Sequence, residues 1–320
     1  MRYQALGDTG FNVSVIGYGA SPLGNEFGPT DADEGVHAVH CAIDAGINFF
    51  DVSPYYGRTL AEERLGRALE GRRDKVILAT KVGRYGREPD ECDYSATRVA
   101  ASVEGSLRRL RTDHVDLLQV HDVENVGDPN QIVNETIPAM RKLQEQGKCR
   151  AVGITGLPPR ILRYIASRVA VDTILSFCRY NLMMDDMDEL LTPFCRAQGI
   201  GLINAAPLHM RLLSAEGPPD WHPASPALRD VSRAIVECCR AAGVDVTRVA
   251  LRFCLDHPTV ASTVIGMARQ KEVEENVRAL ETNNDRDLLG RISRLVAPVK
   301  NQIWTQGRPE NNDQNWTRGA

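Results

Sequence analysis

Eight short apolar runs alternate with segments of helical period along this chain, and that alternation leaves few folds open. The runs are Val15–Tyr18, Asn48–Asp51, Val76–Lys81, Val115–His121, Arg150–Ile154, Thr173–Ser176, Gly201–Asn204 and Ser262–Ile265. Helical segments begin near Asp33, Leu60, Ser95, Asn134, Pro159, Asp188, Asp245 and Lys271. In the third of these, Val99, Val103, Leu107 and Leu110 share one face and arginines occupy the other. Eight strands, each followed by a helix, is the count of a closed (β/α)8 barrel, the TIM barrel of the α/β class. A doubly wound sheet is the competing architecture. It usually carries GxGxxG after its first strand, and Gly17-Tyr18-Gly19-Ala20-Ser21-Pro22 does not complete that pattern.

Several pieces fall outside the alternation. Tyr3–Ala5 and Asn12–Ser14 flank Asp8-Thr9-Gly10 and read as an N-terminal β-hairpin. The seventh connection is long and holds an extra helical stretch near Ala227–Ala242. At 320 residues the chain exceeds the roughly 250 of a bare barrel, which leaves room for such C-terminal helical and loop segments. No Gly/Ser linker or charge block marks a second domain, so residues 1–320 are expected to form one. The stretch Thr305–Ala320, rich in Asn, Gln and Gly, is expected to run as a loose polar tail.

Composition serves mainly to exclude. A net charge of −4 lacks the basic surplus that sequence-independent nucleic-acid binding needs. No run approaches the 18 or so apolar residues of a membrane span, and Met1-Arg2-Tyr3-Gln4 does not open a signal peptide. Eight cysteines show no metal-like spacing, so they read as free thiols with no metal site. The expectation is a soluble protein of the cytoplasm; its oligomeric state is not readable.

Active sites in such barrels gather at the C-terminal ends of the strands. There the second run closes on Asp51, followed by Val52-Ser53-Pro54-Tyr55-Tyr56-Gly57; the third closes on Lys81 and the fourth on His121. Singly, each has an ordinary reading: a cap, a lysine reaching solvent, a hydrogen-bonded rim histidine, a tyrosine packed in a turn. Jointly they place an acid, a lysine, a tyrosine and a histidine at one barrel mouth. A carbonyl receiving a hydride needs a proton on its oxygen, and an alcohol losing one needs a base. Tyrosine titrates near 10 by itself, and a neighbouring ammonium is expected to bring it down. A carboxylate would keep that ammonium charged and oriented, and a histidine N–H would polarise the substrate oxygen. A Schiff-base role for Lys81 is the rival, opposed by the carboxylate partner that keeps the amine protonated.

With these residues assembled, the sequence resembles the aldo-keto reductases, whose Asp, Tyr, Lys and His tetrad matches Asp51, Tyr56, Lys81 and His121. The resemblance runs from Ala5-Leu6-Gly7-Asp8-Thr9-Gly10 to Glu274-Glu275-Asn276. Gly19-Ala20-Ser21-Pro22-Leu23-Gly24, Gly153-Ile154-Thr155-Gly156-Leu157-Pro158 and Trp221-His222-Pro223-Ala224-Ser225-Pro226 make it most similar to the plant-type L-galactose dehydrogenases. The resemblance implies a nicotinamide cofactor, NAD or NADP, and an aldose oxidised at C1 to its lactone, with L-galactose, L-fucose and D-arabinose as candidates. An NADPH-dependent carbonyl reductase is the alternative. A nicotinamide-binding regulatory subunit, like the barrel subunits of some potassium channels, is a more distant one.

By the same resemblance Gly19, Ser21, Thr155, Ser176, Pro207 and Leu208 flank the nicotinamide half. Similar enzymes use a Ser-Asn pair, a Gln and a stacking Tyr there, and this chain reads Thr155-Gly156, Ser176 and Ala205 instead. Either the cofactor is held mainly elsewhere or another side chain packs its ring. Gly266, Met267, Ala268, Arg269, Glu272, Glu275 and Asn276 fall where the adenosine phosphates would meet a helix N-terminus. A carboxylate at Glu272 opposes a 2′-phosphate and favours NAD, while Arg269 pulls the other way. Tyr55, Arg84, Asp122 and His209 lie at or near strand ends as candidate partners for sugar hydroxyls, and each also reads as ordinary loop polarity.

Overall fold

A computed structural model of the chain describes residues 1–319. Strands β1 (Tyr3–Ala5) and β2 (Asn12–Ser14) form an antiparallel hairpin. Eight parallel strands then close a barrel: β3 (Ile16–Gly19), β4 (Phe49–Asp51), β5 (Ile77–Val82), β6 (Val115–Val120), β7 (Cys149–Gly156), β8 (Thr173–Phe177), β9 (Gly201–Ala205) and β10 (Ser262–Gly266). They pair in chain order and β10 returns to β3, with Ile265 opposite Tyr18 and Gly266 opposite Gly19. Each predicted strand is present, with ends moved by no more than two residues.

Helices surround the barrel: α1 (Ala32–Asp44), α2 (Leu60–Ala68), α3 (Ala96–Leu110), α4 (Pro129–Gln131), α5 (Ile137–Glu145), α6 (Pro159–Ala166), α7 (Met187–Gln198), α8 (Pro226–Ala241), α9 (Val246–Leu255), α10 (Gln270–Arg278) and α11 (Arg286–Val296). Short polar side chains start them. The Asp31 carboxylate accepts from the Asp33 and Glu34 amides ahead of α1, and Ser95, Ser225, Asp245 and Asp285 do likewise for α3, α8, α9 and α11. Helicity in the fourth connection begins at Pro129 rather than near Asn134, and a π-helical turn, Ile132–Thr136, joins α4 to α5.

The barrel interior is filled rather than hollow. Phe49, Ala79, Leu117, Ala151, Leu175, Ile203 and Val264 point inward and pack together, and the hairpin closes the lower end with Leu6, Phe11 and Val13. The hairpin turn approaches so closely that a Cβ on Gly7, whose φ is +52°, would lie 2.3 Å from the Gly201 amide nitrogen. With the hairpin plugging one end, the barrel opens at the C-terminal ends of its strands.

The C-terminal segment departs from its expectation. It is docked, not loose. Asn311 and Asn312 are buried. The Asn311 side-chain amide donates to the Glu124 and Val126 carbonyls (3.1 and 2.7 Å), and Asp313 pairs with Arg179. The Trp316 ring meets Tyr164 edge-on at 5.2 Å. Backbone carbonyls left at the barrel rim take amide donors from these asparagines, so a polar composition serves docking here.

Candidate active site

The C-terminal mouth opens into a cavity of about 1120 Å³. Three strand ends bring one charged or ionisable group each. Asp51 ends β4, Lys81 lies in β5, and His121 follows β6 directly; all three side chains are at least nine-tenths buried. Tyr56 arrives from the loop after β4. Its position is set by a backbone crossing in which a Cβ on Gly57 (φ +61°) would come within 2.3 Å of the Gly24 carbonyl oxygen. Only glycine fits there, which pins the neighbouring tyrosine against the barrel.

Lys81 Nζ donates to Asp51 Oδ1 in a short contact, to the Val52 carbonyl at 3.0 Å, and to the Tyr56 hydroxyl at 3.3 Å. Its other carboxylate oxygen, Asp51 Oδ2, accepts from Gln119 Nε2 at 2.9 Å. Burial opposes the ammonium, but Asp51 and then Tyr56 outweigh it and the lysine is held protonated well above its ordinary range. Tyr56 goes against expectation. Burial pushes its hydroxyl up to about 12, and Lys81 only partly offsets that, because Asp51 stands behind it. The ammonium therefore moderates the tyrosine without bringing it below 10.

His121 lies edge-on to both Tyr55 and Tyr56, with ring centroids 5.6 and 5.7 Å away. Burial drives its pKa down to about 3, so the ring is neutral at physiological pH. Its Nδ1 is 3.0 Å from Ser53 Oγ, which also accepts the Tyr55 amide at 3.1 Å. A hydroxyl already accepting from an amide is free to donate to Nδ1, which assigns the ring proton to Nε2. Neither Ser53 nor Gln119 was singled out in the sequence. Serine two residues past a strand and glutamine within one carry no signal by themselves.

The remaining expected residues divide into those at the cavity and those away from it. Gly19, Ser21, Thr155, Pro207, Leu208, Gly266, Ala268, Arg269, Glu272, Glu275 and Asn276 line it, as do Tyr55, Arg84 and Asp122. Ser176 does not. Side chains alternate along a strand, Leu175 and Phe177 face the cavity, and Ser176 points the other way with its hydroxyl buried and unpartnered. Phe177 takes the position expected of Ser176. Met267 is likewise turned away and fully buried. His209 sits beneath the wall: wholly buried, it takes the Asn181 amide at Nδ1 (3.0 Å), lies 5.0 Å from the Trp304 ring, and is pushed down to about 3 by burial. It supports the wall and offers nothing to a sugar.

At one end of the cavity Arg84 Nη1 pairs with Asp122 Oδ2 at 2.5 Å, and the guanidinium lies 4.3 Å from the Tyr55 ring centre. Gln306 joins them from the C-terminal segment, donating to Glu124 Oε1 at 2.9 Å and Asp122 Oδ2 at 3.4 Å. Trp304 and Gln306 both line the cavity; the expectation of a loose tail from Thr305 onward concealed Gln306, and Trp304 just ahead of it was not singled out.

At the far end Glu272 folds back over the start of α10. Its Oε2 accepts the Ala268 and Arg269 amides at 2.7 and 3.1 Å, satisfying donors that would otherwise face an external anion. Among the described residues, no group of three or more His, Cys, Asp or Glu side chains is placed to hold a metal ion, and no helix is long and apolar enough to cross a membrane.

An open barrel mouth carrying a buried lysine–carboxylate pair, a tyrosine and a neutral histidine defines a class of hydride-transferring (β/α)8 oxidoreductase. Residues 15–297 match the aldo/keto reductase family, and the chain belongs to that family. Members of it bind a nicotinamide cofactor. The chain is 45% identical to L-galactose dehydrogenase of Arabidopsis thaliana, covering 97% of this chain and 99% of that one. It is 29% identical to D-arabinose 1-dehydrogenase of Saccharomyces cerevisiae, over 96% of this chain and 94% of that one. Among solved structures, the aldo-keto reductase AKR11C1 from Bacillus halodurans in its holo form superposes with a TM-score of 0.77, 28% identity, and coverage of 92% and 96%.

Proposed function

We propose that the chain is an NAD-dependent aldose dehydrogenase that oxidises the C1 hydroxyl of a sugar, L-galactose foremost, to the lactone. The observation that carries this is the contact of Lys81 with both Asp51 and the Tyr56 hydroxyl, beside a neutral His121. Its relatives' names, L-galactose dehydrogenase and D-arabinose 1-dehydrogenase, support an aldose as substrate.

In this reading the sugar O1 lies between Tyr56 and His121. The hydroxyl proton passes to the Tyr56 oxygen as the C1 hydrogen leaves, and Lys81 stabilises the phenolate that must exist to accept it. Asp51, oriented by Gln119, keeps the ammonium charged. His121 donates its Nε2–H to the oxygen that becomes the lactone carbonyl. The nicotinamide cofactor, when bound, supplies the hydride acceptor. Tyr55, Arg84 and Asp122, with Gln306, offer donors and acceptors to hydroxyls beyond C2.

The cavity fits such a pair of ligands. Its volume exceeds the roughly 300–1,000 Å³ of ordinary small-molecule sites, which leaves room for a dinucleotide and a sugar together. The apolar floor of Leu175, Phe177, Ala205 and Val264 suits a planar ring, with Gly19, Ser21, Thr155, Pro207 and Leu208 around it. Gly266, Ala268, Arg269, Glu275 and Asn276 would meet the adenosine half. Glu272 supports NAD over NADP: its carboxylate already occupies the helix-end amides and would repel a 2′-phosphate. Eight free thiols suit a reducing compartment and support a cytoplasmic enzyme.

The test is initial rates of nicotinamide reduction with NAD or NADP across L-galactose, L-fucose, D-arabinose and D-galactose. Fast reduction of NAD confined to the first three, which share configuration from C2 to C4, is the expected result. Turnover only in the reductive direction with NADPH and a carbonyl would instead establish the reductase alternative. Tight cofactor binding without turnover would establish a regulatory subunit.

A further inference from the structure

Ser53 lies behind the active-site wall, wholly buried and outside the cavity lining. Its carbonyl accepts the Tyr56 amide at 3.1 Å. Its Oγ accepts the Tyr55 amide at 3.1 Å and stands 3.0 Å from His121 Nδ1. The backbone of His121 is pinned as well: its amide donates to the Val82 carbonyl at 2.8 Å, and its carbonyl accepts the Tyr94 hydroxyl at 3.0 Å. With Tyr55 and Tyr56 edge-on against the ring, little is left to vary except which nitrogen carries the proton. Nδ1 meets Ser53. Nε2 is the nitrogen left to meet a ligand in the cavity that the ring lines, since its nearest charged acceptor, Asp122 Oδ1 at 3.7 Å, is beyond hydrogen-bond reach.

We propose that Ser53 is a positioning residue of the active site: without touching substrate or cofactor, its hydroxyl holds the His121 proton on Nε2, toward the reacting oxygen. A serine hydroxyl two residues ahead of an amide has an ordinary use in tying a turn, but that use needs only a lone pair of the oxygen. The hydroxyl proton is a separate matter. Were Nδ1 protonated, Oγ would receive two N–H groups, and the buried Ser53 proton would be left without an acceptor, since Oγ makes no third hydrogen bond among the described residues. With the proton on Nε2, the serine hydroxyl, the Tyr55 amide and Nδ1 are all satisfied. One inner hydroxyl thus decides whether the ring shows the cavity a donor or an acceptor. On the proposed function the oxygen it meets is the sugar O1, which gives its proton to Tyr56 and can only accept from His121. An unprotonated Nε2 would instead set its lone pair against those of the forming carbonyl. The inference rests on that function for the identity of the oxygen, and on the hydrogen bonds alone for the place of the proton.

The experiment reads the proton directly. Long-range 1H–15N correlation spectra of the full chain, labelled at histidine and free of sugar, report which ring nitrogen is protonated, and His121→Gln identifies the His121 signals. The wild type is expected to show a protonated Nε2 and a bare Nδ1. In Ser53→Ala the two nitrogen signals should move toward one another as the tautomers interconvert, and Ser53→Thr, which keeps the hydroxyl, should restore them. With L-galactose, kcat of Ser53→Ala should fall about tenfold while KM and NADH affinity stay within about twofold, and Ser53→Thr should recover it. The loss is smaller than the roughly 10²–10³ of removing an oxyanion donor outright, because Nε2 keeps the proton part of the time. A serine that only tied the turn would leave the ring nitrogens unmoved. A wild-type proton on Nδ1, signals indifferent to Ser53→Ala, or shifted signals with an unchanged kcat each overturns the proposal. Should the added methyl of Ser53→Thr lower the melting temperature, the spectrum and rate of Ser53→Ala decide by themselves. Absence of sugar turnover in the wild type would sink the dehydrogenase function instead, with the nitrogen signals still deciding where Ser53 holds the proton.

Discussion

Phe177 and Ala205 are register partners on the adjacent strands β8 and β9, and both face the cavity floor. An aromatic ring on one strand thus stands beside a methyl group on the next, so the ring covers the space that alanine leaves open. If the nicotinamide packs there, Phe177→Ala removes its main apolar contact. NADH affinity, measured by quenching of protein fluorescence, is expected to fall about tenfold, in keeping with roughly 1–2 kcal/mol for a lost ring contact. An unchanged Kd would mean the ring lies elsewhere in the cavity.

Tyr56→Phe keeps the ring, its packing on His121 and the Lys81–Asp51 pair, and removes only the hydroxyl. Oxidation should fall by about 10²–10⁴ in kcat while NADH affinity is held within about twofold. Full-rate turnover would remove Tyr56 from its proposed role.

The pH profile follows from the same cluster. Burial holds the Tyr56 hydroxyl protonated up to about 12, so the base form is scarce at neutral pH and becomes commoner as pH rises. The logarithm of kcat/KM for oxidation is expected to climb between pH 7 and about 9.5, approaching one log unit per pH unit where proton removal limits the rate. His121 titrates near 3 and contributes no descending limb between pH 5 and 7. A bell centred near pH 6.5 would show that His121 ionises in the working range.

How much of this was legible in the sequence depends on what set each feature. The barrel strands were, because an apolar run closed by a charge marks both a strand and its end. Asp51, Lys81 and His121 emerged for that reason. Ser176 and Met267 failed by the alternation of side chains: one residue along an extended chain reverses the face, and no apolar run shows which residue points inward. His209 depends on a left-handed backbone at φ +51° that tucks it under Trp304, a tertiary fact. The tail was misjudged because composition does not distinguish asparagines in water from asparagines on backbone carbonyls. Tyr56 was misjudged in direction because the number of neighbouring charges was visible and the depth of burial was not.

Glu272 separates two explanations of cofactor choice. Glu272→Gln removes the charge yet keeps an acceptor for the Ala268 and Arg269 amides; Glu272→Ala frees those amides altogether. If repulsion decides, both should move the NADP/NAD ratio of kcat/KM upward by about tenfold, or roughly 1.4 kcal/mol. If occupation of the helix end decides, only the alanine variant should do so. A ratio unmoved by either places the discrimination at another residue.

Glu124 gives the last prediction, and its readout is stability. It is wholly buried beneath the docked segment, where burial and then the nearby Asp122 push its carboxyl up to about 8. One oxygen accepts the Leu157 amide and Gln306; the other has no partner. In the unfolded chain a glutamate ionises near 4.3. Between that value and about 8 the folded state therefore holds a proton that the unfolded state has released. Stability contributed by this group is present below the unfolded value, is lost as pH rises, and levels off above the folded one. Glu124→Gln keeps the acceptor toward Leu157 and cannot ionise. It should stabilise the fold at pH 8.5 by on the order of 2 kcal/mol, read as a higher Tm, and change Tm little at pH 5. Equal shifts at the two pH values would mean that Glu124 is ionised in the folded protein throughout, with Gln306 and Arg84 carrying its charge.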